Sequence, residues 1–391
     1  MKPAARYAAA IDVLDLVIGG QPAEKALTTW GRANRFAGSK DRAALRDHVF
    51  DVLRQRRSLG ALGGGDNGRA LVIGLLRQQG IEPDSIFGVG GYAPSALAPD
   101  ETVANKAGTG AVAADLPDWL WPIWKADLGE DAWPVAQILQ TRAPITLRVN
   151  TRRGSVQDAI TSLAHDGITA IPVSDSKTAL QVIENPRRIR NSDAYSQGMV
   201  ELQDLASQRA VAAINVPRGG TCLDYCAGGG GKALALADMH DLRVFAHDIS
   251  VARMADIPVR AARAGVDITV LDTASIQHHA PFDLVFCDAP CSGAGTWRRA
   301  PEAKLALTKE KLFDYNNLQA EVLSSSAQFV APKGTVVYAT CSVLRSENDV
   351  IVDQFLSDND NWHCVTRNLR LPDACGDGFF YAVLQKRQNN L

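Results

Sequence analysis

Apolar side chains recur with a period near 3.6 through residues 7–18 and again through 40–57, where Leu45, Val49 and Leu53 fall at i, i+4 and i+8. This spacing predicts two amphipathic helices, the second opened by Ser39 as its N-cap. Glycine-rich stretches at 60–68 and 88–110 interrupt the pattern, and the second, with Pro94 and Pro99, places a first boundary. A helical segment with Trp119, Trp121 and Trp124 follows; at that spacing the rings read as core anchors, with stacking on bases as the alternative. ITLRVNT at 145–151 and ITAIPVS at 168–174 read as strands around a helix at 156–165, a small α+β module. Beyond residue 216, β-like and helix-like runs alternate, with strands predicted at 221–226, 243–247, 268–271, 283–288, 335–339 and 379–384. Such alternation predicts a doubly wound, mostly parallel α/β sheet that binds ligands at the carboxyl ends of its strands.

At 391 residues the chain exceeds what one core organises. The expected division is an all-helical domain over 1–105, the α+β module over 113–215 and the α/β domain over 216–391. No uninterrupted apolar run of 18 residues occurs, and Asp12 and Asp15 break the N-terminal apolar stretch, so neither a membrane partner nor a secretory signal is expected and the protein should be cytoplasmic. The formal charge of −2 argues against binding nucleic acid through an overall field. Any such contact must be local, and residues 1–60 hold eleven Lys/Arg against six Asp/Glu. Seven cysteines without a disulfide framework fit a reducing compartment, where a thiol can serve as nucleophile. The only His pair, His278-His279, has no ligands at zinc-like spacing nearby, so no metal is expected.

The first strand of the α/β domain runs into Cys226, Ala227, Gly228, Gly229, Gly230, Gly231 and Lys232, and a helix then begins. Glycines let backbone approach a ligand, and a helix N-terminus favours negative charge, so this loop is a cradle for a nucleotide-like ligand. Asp248 closes the second strand, where a carboxylate can accept from both ribose hydroxyls, and Asp272 follows the third. The loop alone does not choose its cofactor, because Gly228, Gly230 and Ala233 also satisfy a dinucleotide pattern and leave a nicotinamide-dependent oxidoreductase open. Ala233 after Lys232 offers no hydroxyl for magnesium, which argues against a nucleoside-triphosphate hydrolase. More specific is DAPCSGAGTWRR at 288–299, which puts Asp288 and Cys291 at the mouth of the cleft. At 338–348, YATCSVLRSEN ends another strand in Cys341.

These motifs, with GDGFFYA at 376–382, LRVNT at 147–151 and ELQDLASQ at 201–208, resemble the Nop/Sun family of RNA cytosine-5 methyltransferases. The basic helical stretch RFAGSKDRAALRDHVFDVLRQR resembles a NusB-type RNA-binding domain. The resemblance implies a Rossmann-like, S-adenosylmethionine-dependent catalytic domain preceded by an RNA-binding module, and a ribosomal RNA partner from the small subunit. It implies Cys341 as the nucleophile on cytosine carbon 6, Cys291 as the thiol assisting product release, and Asp288, with Lys232, as support for the base. It further implies donor contacts from Cys226 to Lys232, Asp248, Arg253, Asp272 and Asp288. Arg42, Arg46, Arg148, Arg152, Arg153, Arg298 and Arg299 are the candidate RNA contacts, and a monomer is the default expectation. One departure is that Gly228 and Gly229 replace the family's Ala-Pro pair, from which a less rigid cofactor loop is expected. A non-catalytic RNA-binding or assembly factor on the same fold is the competing reading.

Overall fold

The structure is a computed structural model that describes residues 1–103, 105–216 and 219–387. It divides into two compact units, Met1–Arg142 with Trp297–Leu307, and Ala143–Thr296 with Thr308–Leu391. The first is helical. Helices Pro3–Ile18, Ala23–Ala33, Ser39–Arg54, Arg56–Gly63 and Gly68–Gln78 surround a core that includes Val13, Leu14, Leu45, Val49 and Leu53. The predicted helix at 40–57 breaks at Gln55, where φ is −124°, so a second helix begins at Arg56 and takes Gly60 into its interior. Ser39 is the first helical residue and not the cap; Gly38 holds that position with no side-chain cap bond. Trp124 is fully buried, donates Nε1–H to the Ala132 carbonyl at 2.8 Å and stacks on Trp297 at 5.8 Å, as a core anchor does.

The second unit holds two sheets. A four-stranded antiparallel sheet is formed by β1 (Ile145–Val149), β2 (Thr169–Pro172), β3 (Ala179–Glu184) and β4 (Val200–Leu202) in the order β2-β3-β1-β4. Its helix Val156–His165 opens on a capping box between Ser155 and Asp158 and buries Ala159 and Leu163 with Leu147, Val149 and Leu180. β3 and β4 were not among the predicted strands, although residues 174–177 and Asn185-Pro186 bound β3 with turn residues; β4 has only three residues.

The seven-stranded sheet comprises β5 (Thr221–Asp224), β6 (Arg243–His247), β7 (Ile268–Leu271), β8 (Phe282–Asp288), β9 (Val330–Thr340), β10 (Trp362–Arg370) and β11 (Phe379–Lys386), in the order β10-β11-β9-β8-β5-β6-β7. β5 to β9 are parallel and β10 and β11 antiparallel. Alternation sends Cys222, Leu284 and Phe286 into the core on one face and Leu223, Val285 and Cys287 into the core on the other. Buried on both faces, these strands are the continuous apolar runs that the sequence displays. β10 was missed because it is an edge strand, WHCVTRNLR, with mostly exposed positions. β5 ends at Asp224, two residues earlier than predicted, so Cys226 belongs to the loop. Among the described residues no helix is long and apolar enough to cross a membrane.

Candidate functional site

β5 lies between β6 and β8, where the strand order reverses, so the loops leaving β5, β8 and β9 diverge around one crevice. The glycine loop is fixed from both sides: Tyr225 N–H donates to the Phe286 carbonyl and Ala227 N–H to the His247 carbonyl, each at 2.8 Å. Gly228 and Gly230 have φ of +52° and +81°, and a Cβ on Gly228 would sit 2.9 Å from the Arg253 guanidinium. The local path therefore requires glycine at 228. Asp248 Oδ2 accepts from Gly228 N–H and lies 2.9 Å from Arg253, while Oδ1 accepts from Ser250 N–H. Asp248 and Arg253 thus meet at one end of the loop.

Lys232, in the first turn of the helix Gly231–His240, reaches across to Asp288 at the end of β8, with Nζ to Oδ2 at 2.6 Å. Burial works against the Lys232 charge, but Asp288 outweighs it and the Lys232 pKa rises. Beside this pair Cys291 Sγ and Cys341 Sγ stand 3.4 Å apart. The Cys341 thiol is held below its ordinary pKa, first by the hydrogen bond with Cys291 and then by Lys232 and the Thr296 hydroxyl, against burial and the Asp288 charge. Cys291 is pushed well up by the same contact and by burial. The contact thus favours the negative charge at 341 and the proton at 291.

Two cavities flank these groups. One of about 310 Å³ is bordered by Asp224, Ala227, Gly228, Gly229, Gly231 and Lys232. The other, about 560 Å³, runs past Asp248, Ile249 and Thr273 to Pro290, Cys291, Tyr315 and Cys341. Cys226, Arg253 and Asp288 border both. Asp224 is buried, and neither of its oxygens has a hydrogen-bond partner among the described residues. Burial and then Asp288 raise its pKa to about 7, although Lys232 pulls the other way. An orphaned carboxylate facing an open cavity is a receptor for a cation. S-adenosylmethionine carries an α-ammonium, so the chain's own residues fit that donor. Asp272 stands apart: it caps the turn Thr273–Ser275, accepting from Ser275 N–H at 2.9 Å, and the cavity wall there is Thr273.

The candidate RNA contacts separate by burial. Arg148 is 1% exposed and forms a short ion pair with the equally buried Asp238, which removes it from any RNA-facing surface. Its Nε–H also donates to Gln203 Oε1 at 2.9 Å, so this side chain points into the protein. Arg298 is likewise enclosed at 1%, whereas its neighbour Arg299 is exposed. Arg152 and Arg153 are exposed, Arg152 pairing with Asp241 and Arg153 donating to the Arg263 carbonyl at 3.2 Å. Arg42 and Arg46 are exposed on the helical unit, Arg46 forming a short bidentate pair with Glu24.

Sequence reasoning missed the support beneath the thiols. Glu347, fully buried, accepts from Ser292 N–H at 2.8 Å and Gln319 Nε2 at 3.0 Å, and forms short bonds with the Ser292 and Ser342 hydroxyls. Asn348 accepts from Thr340 Oγ1 at 2.6 Å. Gly295 donates to the Cys341 carbonyl at 2.9 Å and accepts from Gly378 N–H at 2.8 Å; a Cβ on either glycine would come within 3 Å of the other's Cα. The signal was present in the adjoining Glu347-Asn348 and in GDGFFYA, but only the fold brings these segments to the cysteines.

The reversed strand order, glycine loop and strand-end crevice define a Rossmann-like S-adenosylmethionine-dependent methyltransferase. The model of the 16S rRNA methyltransferase RsmB/F family matches residues 211–385, and that of the RsmF/B-like ferredoxin-like domain matches 116–190. The chain belongs to this family of ribosomal RNA methyltransferases. It is 31% identical to ribosomal RNA small subunit methyltransferase B of Xanthomonas campestris over 305 residues, 72% of this chain and 70% of that protein. The same-named protein of Xylella fastidiosa is 33% identical over 294 residues, 69% and 68% of the two chains. Among solved structures, PH0851 superposes over 99% of both chains with a TM-score of 0.77 at 22% identity. NSun6 from Pyrococcus horikoshii with SFG gives 0.61 at 16% identity, covering 70% of this chain and 99% of that one. At such identities the likeness is one of fold.

Proposed function

We propose that this chain methylates carbon 5 of a cytosine in small-subunit ribosomal RNA through a covalent adduct on Cys341. The observation that carries this reading is the 3.4 Å pair of thiols, one with lowered and one with raised pKa, beside the Lys232–Asp288 ion pair. Cytosine carbon 5 is a weak nucleophile. Addition of the Cys341 thiolate to carbon 6 moves the ring's electron pair toward carbon 5 and nitrogen 3; Asp288 bonds the ring edge, and the Lys232 ammonium paired with it supplies the positive charge that supports the developing anion. S-adenosylmethionine, when bound, supplies an electrophilic methyl group on a sulfonium. Water in the open cavity takes the carbon 5 proton, the carbon 6–sulfur bond breaks as the ring double bond re-forms, and Cys341 leaves as a thiolate that the Cys291 thiol assists by hydrogen bonding to it.

Asp224 and the loop Cys226 to Lys232 would hold the methionine end of the donor, with Asp248 at the ribose and Arg253 bracing Asp248. Ile249 and Thr273 border the adenine end, beside the position expected for Asp272. Exposed Arg152, Arg153 and Arg299, with Arg42 and Arg46 on the helical unit, are the proposed phosphate contacts. The division into a NusB-like region over 1–105, a module over 113–215 and a catalytic domain over 216–391 is proposed as the functional organisation. An unstacked cytosine is required, which favours a loop or single-stranded target. The deciding experiment incubates the protein with labelled S-adenosylmethionine and small-subunit RNA, naked or assembled, and maps the product. Label at cytosine carbon 5, dependent on Cys341, is expected; label on another base or atom would overturn the reading.

A further inference from the structure

Cys291 and Cys341 meet directly, sulfur against sulfur. Their sulfurs are 3.4 Å apart and would have to approach by only about 1.4 Å to reach bonding distance. They leave neighbouring parallel strands, β8 and β9, whose register pairs Asp288 with Ala339. The backbone on both sides is pinned, through Ser292 to Glu347 and through the Cys341 carbonyl to Gly295, so approach needs side-chain rotation and no refolding. Both side chains are half-buried and border the open cavity of about 560 Å³. Of the other cysteines, Cys222 and Cys287 are buried, and Cys226, beside Cys287, has its pKa raised.

We propose that Cys291 and Cys341 form a peroxide-responsive, reversible disulfide, so that Cys291 also serves as the resolving thiol that protects the nucleophile. The Cys341 thiolate attacks one oxygen of hydrogen peroxide; the O–O bond breaks, and the departing hydroxide takes a proton to leave as water. The product is a sulfenic acid on Cys341. Cys291 then loses its proton and attacks the Cys341 sulfur; the S–O bond breaks and a second water leaves. Two thiols are oxidised to one disulfide while one peroxide is reduced to two waters. The lowered pKa of Cys341 makes it the sulfur that attacks the oxidant, and the Cys291 thiol lies within reach before a second oxidation carries sulfur to the irreversible sulfinic acid. Disulfide formation rests on geometry alone, whereas its effect on methyl transfer rests on the function proposed above.

The test treats the reduced full-length protein with hydrogen peroxide, alkylates the remaining thiols and reads intact mass and linked peptides, with methyl transfer followed in parallel. Wild type is expected to lose the mass of two hydrogens, to yield a linked peptide pair whose fragmentation assigns Cys291 and Cys341, and to return to the starting mass with dithiothreitol. Cys291→Ser and Cys291→Ala should instead add oxygen to Cys341 that dithiothreitol cannot remove. Alkylated, free Cys291 and Cys341 after peroxide treatment would overturn the proposal. So would a link between Cys226 and Cys287, or irreversible oxidation of Cys341 in wild type. A link that forms while methyl transfer persists would leave the disulfide standing and overturn the assignment of the nucleophile.

Discussion

Lys232 Nζ lies 2.6 Å from Asp288 Oδ2, joining the helix that follows the glycine loop to the strand end that leads to Cys291. The contact places a cation and an anion with opposite effects on one thiol, since Lys232 lowers and Asp288 raises the Cys341 pKa. The reactive form is the thiolate, so adduct formation should rise with pH through that pKa. Lys232→Met should move the acid limb of the rate profile to higher pH, and Asp288→Asn to lower pH. Both should reduce the plateau by about 10²–10³-fold through loss of support for the base. Single-turnover methylation between pH 5 and 9 measures limb and plateau separately; limbs that shift together in one direction would contradict the arrangement.

The two thiols should fail differently. Cys341→Ala is expected to abolish methyl transfer without trapping RNA. Cys291→Ala should accumulate a covalent protein–RNA complex that survives denaturing electrophoresis, because addition proceeds and elimination does not. Trapping that depends on Cys291 in place of Cys341 would reverse the assignment. In Cys291→Ala the principal influence lowering the Cys341 pKa is also gone, so adduct formation should require a higher pH.

Asp224 links donor binding to stability. Its pKa of about 7 exceeds the unfolded value, so the folded protein holds this proton more tightly, and stability falls as pH rises from about 4 toward 7. Asp224→Asn should therefore stabilise the ligand-free protein at pH 8, by on the order of 2–4 kcal/mol, while weakening binding of S-adenosylmethionine. Urea unfolding at pH 5 and 8 with calorimetric titration of the donor separates these effects. Equal unfolding midpoints for the two proteins at pH 8 would count against an unpaired buried charge.

Arg148 should matter to stability and not to RNA affinity. It and Asp238 are each 1% exposed in the side chain, so Arg148→Ala leaves a buried anion without its partner, a loss of about 3–5 kcal/mol. Filter binding by the folded fraction should be unchanged. Arg152→Ala and Arg299→Ala should instead weaken binding and flatten its salt dependence, with little change in the unfolding midpoint.

β6 was legible because both faces of the sheet are covered there, which writes it as an apolar run. β7, an edge strand with Thr269 and Val270 exposed, was legible by its β-branched residues; the sequence places the ends of both at the observed residues. The helix expected over 156–165 has the observed bounds. Edge strand β10, the three-residue β4 and the break at Gln55 carry no comparable signal, because pairing partners and packing decide them. The cysteines, glycine loop and terminal acids stood out by residue type and motif. Whether an arginine faces solvent, however, is not written in its own neighbourhood: Arg148 and Arg152 lie in one short basic stretch, yet one is sealed against Asp238 and the other is exposed. By itself the sequence determined the α/β class, the order of the parallel strands' motifs and which residue types were available for chemistry, since periodicity and reactive groups are local properties. Only the tertiary structure decided that residues fifty positions apart put their sulfurs in contact, that Glu347 lies beneath them and that Asp224 is an unpaired charge, because distance, burial and partnership exist only once the chain has folded.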